Sequence, residues 1–146
     1  MNPYSYRISL TLRHSSEKLT EVSEQIIKLF PEIIPGQLCN IGEDRMTPIG
    51  RKLEGMYTDS RFSFAFSEET YNSKLKTLED SINEVLEKLI LCKDLLLKFT
   101  SKNGSIEFFI GLFVDANSGI VLDTDLIKRL ADLKIGLGFD IYPPEK

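Results

Sequence analysis

The sequence predicts an α+β fold in which one long helix covers a mostly antiparallel sheet. Two observations carry this prediction. Residues 4–13 alternate between apolar and polar side chains, which is typical of a half-buried strand. Residues 73–101 repeat apolar side chains every three or four positions, which is typical of an amphipathic helix. A strand and a helix that each have one apolar face can bury those faces against each other in a two-layer sandwich.

Size and composition fit a single domain that spans residues 1–146. The hydrophobic share of 42% and the charged share of 27% are ordinary for a globular chain. No apolar run approaches the roughly 20 residues of a membrane-spanning helix, and the N-terminus lacks the apolar segment of a secretory signal. We therefore expect a cytoplasmic protein that does not associate with membranes.

The charge balance bears on the class of partner. A formal net charge of −4 disfavours a general nucleic-acid binder, which needs a concentrated basic face to neutralise phosphates. The same charge is compatible with a basic protein partner, because opposite potentials speed encounter. We expect no nucleic acid among the ligands.

A helix, a connection rich in glycine and proline, and a hairpin are predicted after the opening strand. Apolar residues at helical spacing predict a short helix that ends at Pro31. The next stretch is rich in glycine and proline, which predicts an ordered connection with one or two short strands. Residues 51–58 and 60–67 then predict two strands that form a hairpin, with Asp59 and Ser60 in its turn.

The long helix is predicted from about Ser73 to Ser101, a length of roughly 40 Å at 1.5 Å per residue. Asn72 or Ser73 is the predicted cap, and Asn103 followed by Gly104 suits the end. A heptad-like pattern of this length also fits a coiled coil, so a homodimer through this helix stays open beside a monomer. The apolar face widens toward the C-terminal half, which favours burial under a sheet.

The C-terminal third predicts a strand, a helix and a strand. Residues 105–115 are apolar on both faces, which predicts a central strand. Asp123 or Thr124 caps the next helix, and residues 137–142 form the last strand. The order of elements predicts a ferredoxin-like β-α-β-β-α-β core with an added C-terminal helix and strand.

The parts of the common catalytic and metal sites are missing from the sequence. His14 is the only histidine and is predicted at the exposed end of the first strand, so Ser-His-Asp and multi-histidine sites lack their components. Residues 115–126 resemble a calcium loop but place Ile120 and Leu126 where glycine and glutamate are needed. Cys39 and Cys92 are predicted to be free thiols. We predict no catalytic residues, no metal and no cofactor, and therefore a protein that is not an enzyme.

Two groups of polar residues are candidates for binding. The glycine-rich connection concentrates charge, and the last strand places a carboxylate between aromatic residues, where it needs water or a hydrogen-bonding partner. For that carboxylate, Asp140, an arginine or backbone amides are the expected partners. The candidate binding residues are Glu43, Asp44, Arg45, Arg51, Asp140 and Tyr142.

Several short motifs resemble the DUF4279 family. They are Leu29-Phe30-Pro31, Gly42-Glu43-Asp44-Arg45, Ser118-Gly119 ahead of Asp123, and the closing Phe139-Asp140-Ile141-Tyr142. The resemblance spans nearly the whole chain. Members often carry a tryptophan in the strand that here contains Phe62, Phe64 and Phe66. The family has no established reaction, and some relatives look like immunity or accessory proteins of bacterial toxin systems.

Three hypotheses of function result. The first is a non-catalytic protein-binding module, of the immunity or accessory type, that covers a basic partner through the loop of residues 42–51 and the open sheet face. The second is a small-molecule or anion-binding domain with a polar cleft formed by Glu43, Asp44, Arg45, Arg51 and Asp140. The third is a homodimeric scaffold built through the long helix.

Overall fold

The structure, a computed structural model, describes residues 2–144. Within them the chain forms eight strands and four α-helices. The strands are β1 (Tyr4–His14), β2 (Ile34–Cys39), β3 (Asp44–Met46), β4 (Lys52–Met56), β5 (Ser60–Ala65), β6 (Tyr71–Asn72), β7 (Ser105–Val114) and β8 (Ile135–Tyr142). The helices are α1 (Thr20–Leu29), α2 (Leu78–Leu89), α3 (Lys93–Ser101) and α4 (Thr124–Asp132). A 3-10 turn, Ile90–Cys92, joins α2 to α3.

The main sheet has the order β2-β5-β1-β7-β8, with the short β6 also paired to β1. Every pairing is antiparallel except that of β7 with β8, which is parallel. Taking β1, α1, β2, β5, the α2–α3 segment and β7 in sequence gives the predicted β-α-β-β-α-β core. Helix α4 and strand β8 are the predicted addition. The α+β fold class is therefore confirmed.

The hydrophobic core lies between one face of the sheet and the helices. Strand β1 supplies the centre of the core, because every second side chain from Tyr4 to Leu12 is apolar and at most 8% exposed. Phe64 from β5 and Phe108 from β7 lie beside them at 1% and 0% exposure. Each helix contributes buried residues to the same cluster, for example Ile26, Ile82 and Leu126. A single core thus holds the main sheet and the four helices together.

The long helix is confirmed, but it begins at Leu78 and not at Ser73. The residues before it are held to β1, since Asn72 pairs with Ser5 and the Ser73 amide donates to the carbonyl of Tyr4 at 2.9 Å. Thr77 caps the helix by accepting from the Asp80 amide at 3.2 Å. Pairing to the sheet therefore takes precedence over the helical pattern of this stretch.

The apolar stripe of the long helix faces the sheet, as expected, except near the 3-10 turn. Residues such as Leu78, Ile82 and Leu96 are fully buried. Ile90 and Leu91, however, are 50% and 74% exposed, because the tighter turn shifts the helical period. Ile90 and Leu91 are therefore the most exposed apolar side chains of this helix.

The predicted hairpin of residues 51–58 with 60–67 is wrong. Strand β4 pairs instead with β3 in a separate two-stranded sheet. Strand β5 lies between β2 and β1, which together satisfy both of its edges. The alternating Phe62 and Phe64 side chains are buried only in that position, and this burial decides the pairing.

Strand β7 is central in the sheet, as predicted, but only one of its faces is covered. Phe109 and Phe113 point away from the helices and are 42% and 40% exposed. The prediction also fails for His14, which is buried at 3% exposure. Its Nδ1 accepts from the amides of Ser16 and Glu17, and its Nε2 donates to the Lys102 carbonyl at 2.7 Å, so it stabilises the turn after β1.

None of the helices between residues 2 and 144 has both the length and the apolar character that crossing a lipid bilayer requires.

Tyr6 gives a direct test of this packing. Its buried hydroxyl lies 2.9 Å from the Lys76 carbonyl and 2.5 Å from Ser81 Oγ, so it fixes the start of α2 to the sheet. We expect Tyr6→Phe to lower the free energy of unfolding by about 1–3 kcal/mol, because buried polar groups lose a partner. Urea denaturation measures this, with Tyr71→Phe on the stacked neighbouring ring as control at about 0.5 kcal/mol or less. Equal losses in both variants would contradict the assignment.

Tyr6 also makes the stability of the fold depend on pH in the alkaline range. Burial raises the pKa of Tyr6 from 10.0 to about 12. Because the phenol ionises more easily in the unfolded chain, its contribution to stability is complete below pH 10 and falls as pH rises toward 12. We expect Tyr6→Phe to flatten the loss of stability over this interval. A slope as steep as that of the unmodified chain would argue against the buried phenol.

Candidate functional site

Within residues 2–144, no layer covers the face of the sheet that points away from the helices, and we call this face the open face. The open face follows from the alternation in β1, because the polar side chains of β1 point away from the core. The pairing registers place side chains of β5, β7 and β8 beside these polar side chains of β1. The open face carries Ser5, Arg7, Ser9, Thr11, Arg13, Arg61, Ser63, Glu107, Phe109, Phe113, Asp140 and Tyr142.

One end of the open face forms an acidic aromatic patch, made of Phe113, Asp140 and Tyr142. Phe113 is the register partner of Tyr142 across the β7–β8 pair. Their rings stack with centroids 4.8 Å apart and planes 9° apart. The Tyr142 hydroxyl donates to Asp140 Oδ2 at 2.6 Å. Because Tyr142 is also 46% exposed, the patch combines a fixed carboxylate with an accessible aromatic surface.

A glycine gives the patch its shape. Gly111 of β7 pairs with Arg7 of β1 on one side and with Asp140 of β8 on the other, so no side chain stands between those two residues. The rings of Phe113 and Tyr142 lie beside this gap, since a Cβ built on Gly111 would be 3.6 Å and 3.8 Å from them. The two aromatic rings therefore lie close over Gly111, beside the Asp140 carboxylate.

The electrostatics of the patch are local. The hydrogen bond and the charge of Asp140 raise the pKa of Tyr142 above its usual value of 10.0, because they favour the protonated phenol. The expected partner of Asp140, an arginine or backbone amides, is not the one observed. The nearest arginine along the row, Arg7, donates instead to the carbonyl of Glu68. Among residues 2–144, Asp140 thus has no cationic partner within 4 Å.

The remaining candidate residues belong to the β3–β4 hairpin and stabilise it. Glu43 accepts from the Asn40 amide at 2.9 Å, and Asp44 forms an ion pair with Lys52 at 3.6 Å. Arg45 donates to the Glu54 carbonyl at 3.3 Å. The Arg51 amide donates to Thr47 Oγ1 at 2.9 Å. All four candidates are exposed.

The structure does not bring the two groups of candidates together. The hairpin is inserted between β2 and β5, whereas Asp140 and Tyr142 lie on β8 at the other edge. From β5 to β8 there are three interstrand steps, or about 14 Å. Glu43, Asp44, Arg45 and Arg51 therefore do not share a cleft with Asp140.

Sequence reasoning missed a groove along the middle of the open face. This groove has a volume of about 620 Å³ and is lined by residues of β1, β2, β5 and β7. Its polar lining includes Arg7, Ser9, Thr11, Arg13, Ser63 and Glu107. The signal was present in the polar half of the β1 alternation, where two arginines recur on one side.

Neither cysteine shows the features of a reactive thiol. Cys39 is buried, and Cys92 is half-buried in the 3-10 turn, where its Sγ donates to the Leu89 carbonyl at 3.3 Å. Burial raises the pKa of both thiols, which favours the unreactive protonated form. In residues 2–144, no three side chains of histidine, cysteine, aspartate or glutamate are grouped as a metal site would need.

Fold and face together define a ferredoxin-like α+β domain with an extra helix and strand and one uncovered sheet face. The family model described as "Domain of unknown function (DUF4279)" matches residues 6–144. The chain therefore belongs to the DUF4279 family, which confirms the resemblance seen in its motifs. No curated protein and no solved structure matches the chain.

The geometry of the patch predicts a shift in one titration. We expect Asp140→Asn to lower the pKa of Tyr142 toward its usual value, because the carboxylate that favours the protonated phenol is gone. NMR titration of ring-labelled tyrosine measures this. Asp125→Asn, at an exposed position on α4, is the matched control and should leave Tyr142 unchanged. An unchanged Tyr142 pKa in Asp140→Asn would contradict the hydrogen bond.

Proposed function

We propose that this chain is a non-catalytic protein-binding module that holds a basic segment of a partner on the acidic aromatic patch. The observation that carries the proposal is the Asp140 carboxylate beside the stacked rings of Phe113 and Tyr142. A lysine or arginine side chain can lie over such rings while its charge meets the carboxylate. Aromatic anchors of this kind supply much of the energy of known interfaces.

Phe109 extends this surface. It lies next to Gly138 in the β7–β8 register and is 42% exposed. A Cβ built on Gly138 would be 3.3 Å from the Phe109 ring, so the ring extends over the glycine toward β8. The apolar stem of a basic side chain can pack on this ring, which enlarges the contact beyond the three patch residues.

The net charge supports a basic partner. At −4 the chain attracts a positively charged protein over distances longer than one contact. An immunity or accessory protein of a bacterial toxin system, acting in the cytoplasm, is the biological role that we propose. Such proteins cover a partner's surface and need no catalytic group of their own.

Capture with matched charge-reversal variants tests the proposal. Tagged wild type, Asp140→Lys and Glu24→Lys are co-expressed with the products of neighbouring genes, and the bound proteins are identified by mass spectrometry. Glu24 is exposed on α1 in the helix layer, so its variant changes the net charge equally without touching the patch. We expect wild type and Glu24→Lys to capture the same basic partner, and Asp140→Lys to capture at least tenfold less of it. Loss of this partner in both variants, or in neither, would contradict the proposal.

A further inference from the structure

The end of the open face opposite the patch carries two arginines on adjacent strands. Arg13 of β1 and Arg61 of β5 are direct register partners. Residues directly opposite in an antiparallel pair have Cβ atoms about 4.5–5.5 Å apart, so two positive charges start from neighbouring positions. Like charges in this arrangement destabilise a sheet unless an anion compensates them.

No side chain of the described chain supplies that anion. Among the ion pairs formed within residues 2–144, none involves Arg13 or Arg61. The acidic residue of the open face closest in register is Glu107, which pairs with Thr11 one row away. Its carboxylate is directed the other way, since a Cβ built on Gly138 of β8 would lie 2.8 Å from Glu107 Oε1. The arginine pair is therefore left without a carboxylate partner.

Two hydroxyl groups stand in the next row of the same two strands. Thr11 of β1 faces Ser63 of β5. Ser63 Oγ already accepts from the Gln37 amide at 3.2 Å, so its proton is available to donate. Two guanidinium groups with two hydroxyls beside them match the several acceptor oxygens of a phosphate or carboxylate group.

From these residues we infer that Arg13, Arg61, Thr11 and Ser63 form an oxyanion site for a small molecule. Arg13, Thr11 and Ser63 line the groove of about 620 Å³, a volume within the range of small-molecule sites, and Arg61 stands at the register position beside Arg13. Phe109 of β7 lines the same groove. It pairs with Ser9, which lies four residues before Arg13 on β1, so Phe109 is about 13 Å from Arg13 along the strand. The ligand carries its phosphate or carboxylate at one end and a flat apolar group at the other, which lies on Phe109.

This site is separate from the acidic aromatic patch. Arg13 and Arg61 contribute nothing to the proposed protein contact, and Asp140 contributes nothing to oxyanion binding. Phe109 borders both surfaces, so substitutions at Asp140 and at the two arginines, each of which belongs to only one of them, test the two inferences separately.

NMR titration with three probes tests the site. Adenosine monophosphate supplies a phosphate and a ring, indole-3-butyrate a carboxylate and a ring, and ribose 5-phosphate a phosphate without a ring. We expect the resonances of Arg13, Arg61 and Ser63 to shift, and the preferred ringed probe to bind at least fivefold more tightly than ribose 5-phosphate. Whether adenosine monophosphate or indole-3-butyrate binds more tightly identifies the natural anion as phosphate or carboxylate.

Substitutions show whether the arginine pair is responsible. We expect Arg13→Gln and Arg61→Gln each to weaken binding at least tenfold, and Arg13→Lys to weaken it less because the charge remains. Arg45→Gln, on the exposed hairpin, is the charge-matched control and should have no effect. Binding is also expected to be unchanged in Asp140→Asn. The inference is overturned if no probe shifts these residues at millimolar concentration, or if Arg45→Gln weakens binding as much as Arg13→Gln.

Discussion

The structure depends on the one-sided burial of β1. This strand pairs with β5, β6 and β7, and its apolar side chains form the centre of the core. Because successive side chains of a strand point to opposite faces, burying Tyr6, Ile8 and Leu10 under the helices necessarily exposes the residues between them. A register slip of one residue would exchange the two sets, so the strength of the core also fixes which side chains the open face presents.

That constraint explains why the candidate sites lie on one surface. The open face carries stacked aromatic rings and a carboxylate at one end and a pair of arginines at the other, although the chain as a whole is acidic. None of these side chains takes part in the core, so their identity is free to serve recognition. The central groove between the two ends offers room for a ligand without disturbing the helix layer.

The sequence was sufficient to predict those parts of the fold whose residue pattern depends on burial alone. The alternation of β1 and the helical repeat of residues 73–101 predicted both layers, and the order of elements predicted the ferredoxin-like core. It was insufficient where two long-range partners compete. The hairpin of residues 51–58 with 60–67 looked favourable locally, but β5 buries Phe62 and Phe64 only between β2 and β1. Asp140 and Tyr142 could be predicted as candidates together because they lie two residues apart on one strand. Arg13 and Arg61 could not, because their pairing across β1 and β5 depends on a register that no local pattern specifies.

Solvent contact of four phenylalanine rings shows whether one sheet face is covered by the helices while the other is open. A soluble paramagnetic probe broadens NMR signals of side chains in proportion to their contact with solvent. We expect strong broadening for the rings of Phe109 and Phe113, and protection of Phe64 and Phe108, which are at most 1% exposed. Protection of all four rings in a monomer would mean that the open face is covered. Equal broadening of all four would mean that the core is not formed, and either result contradicts the account.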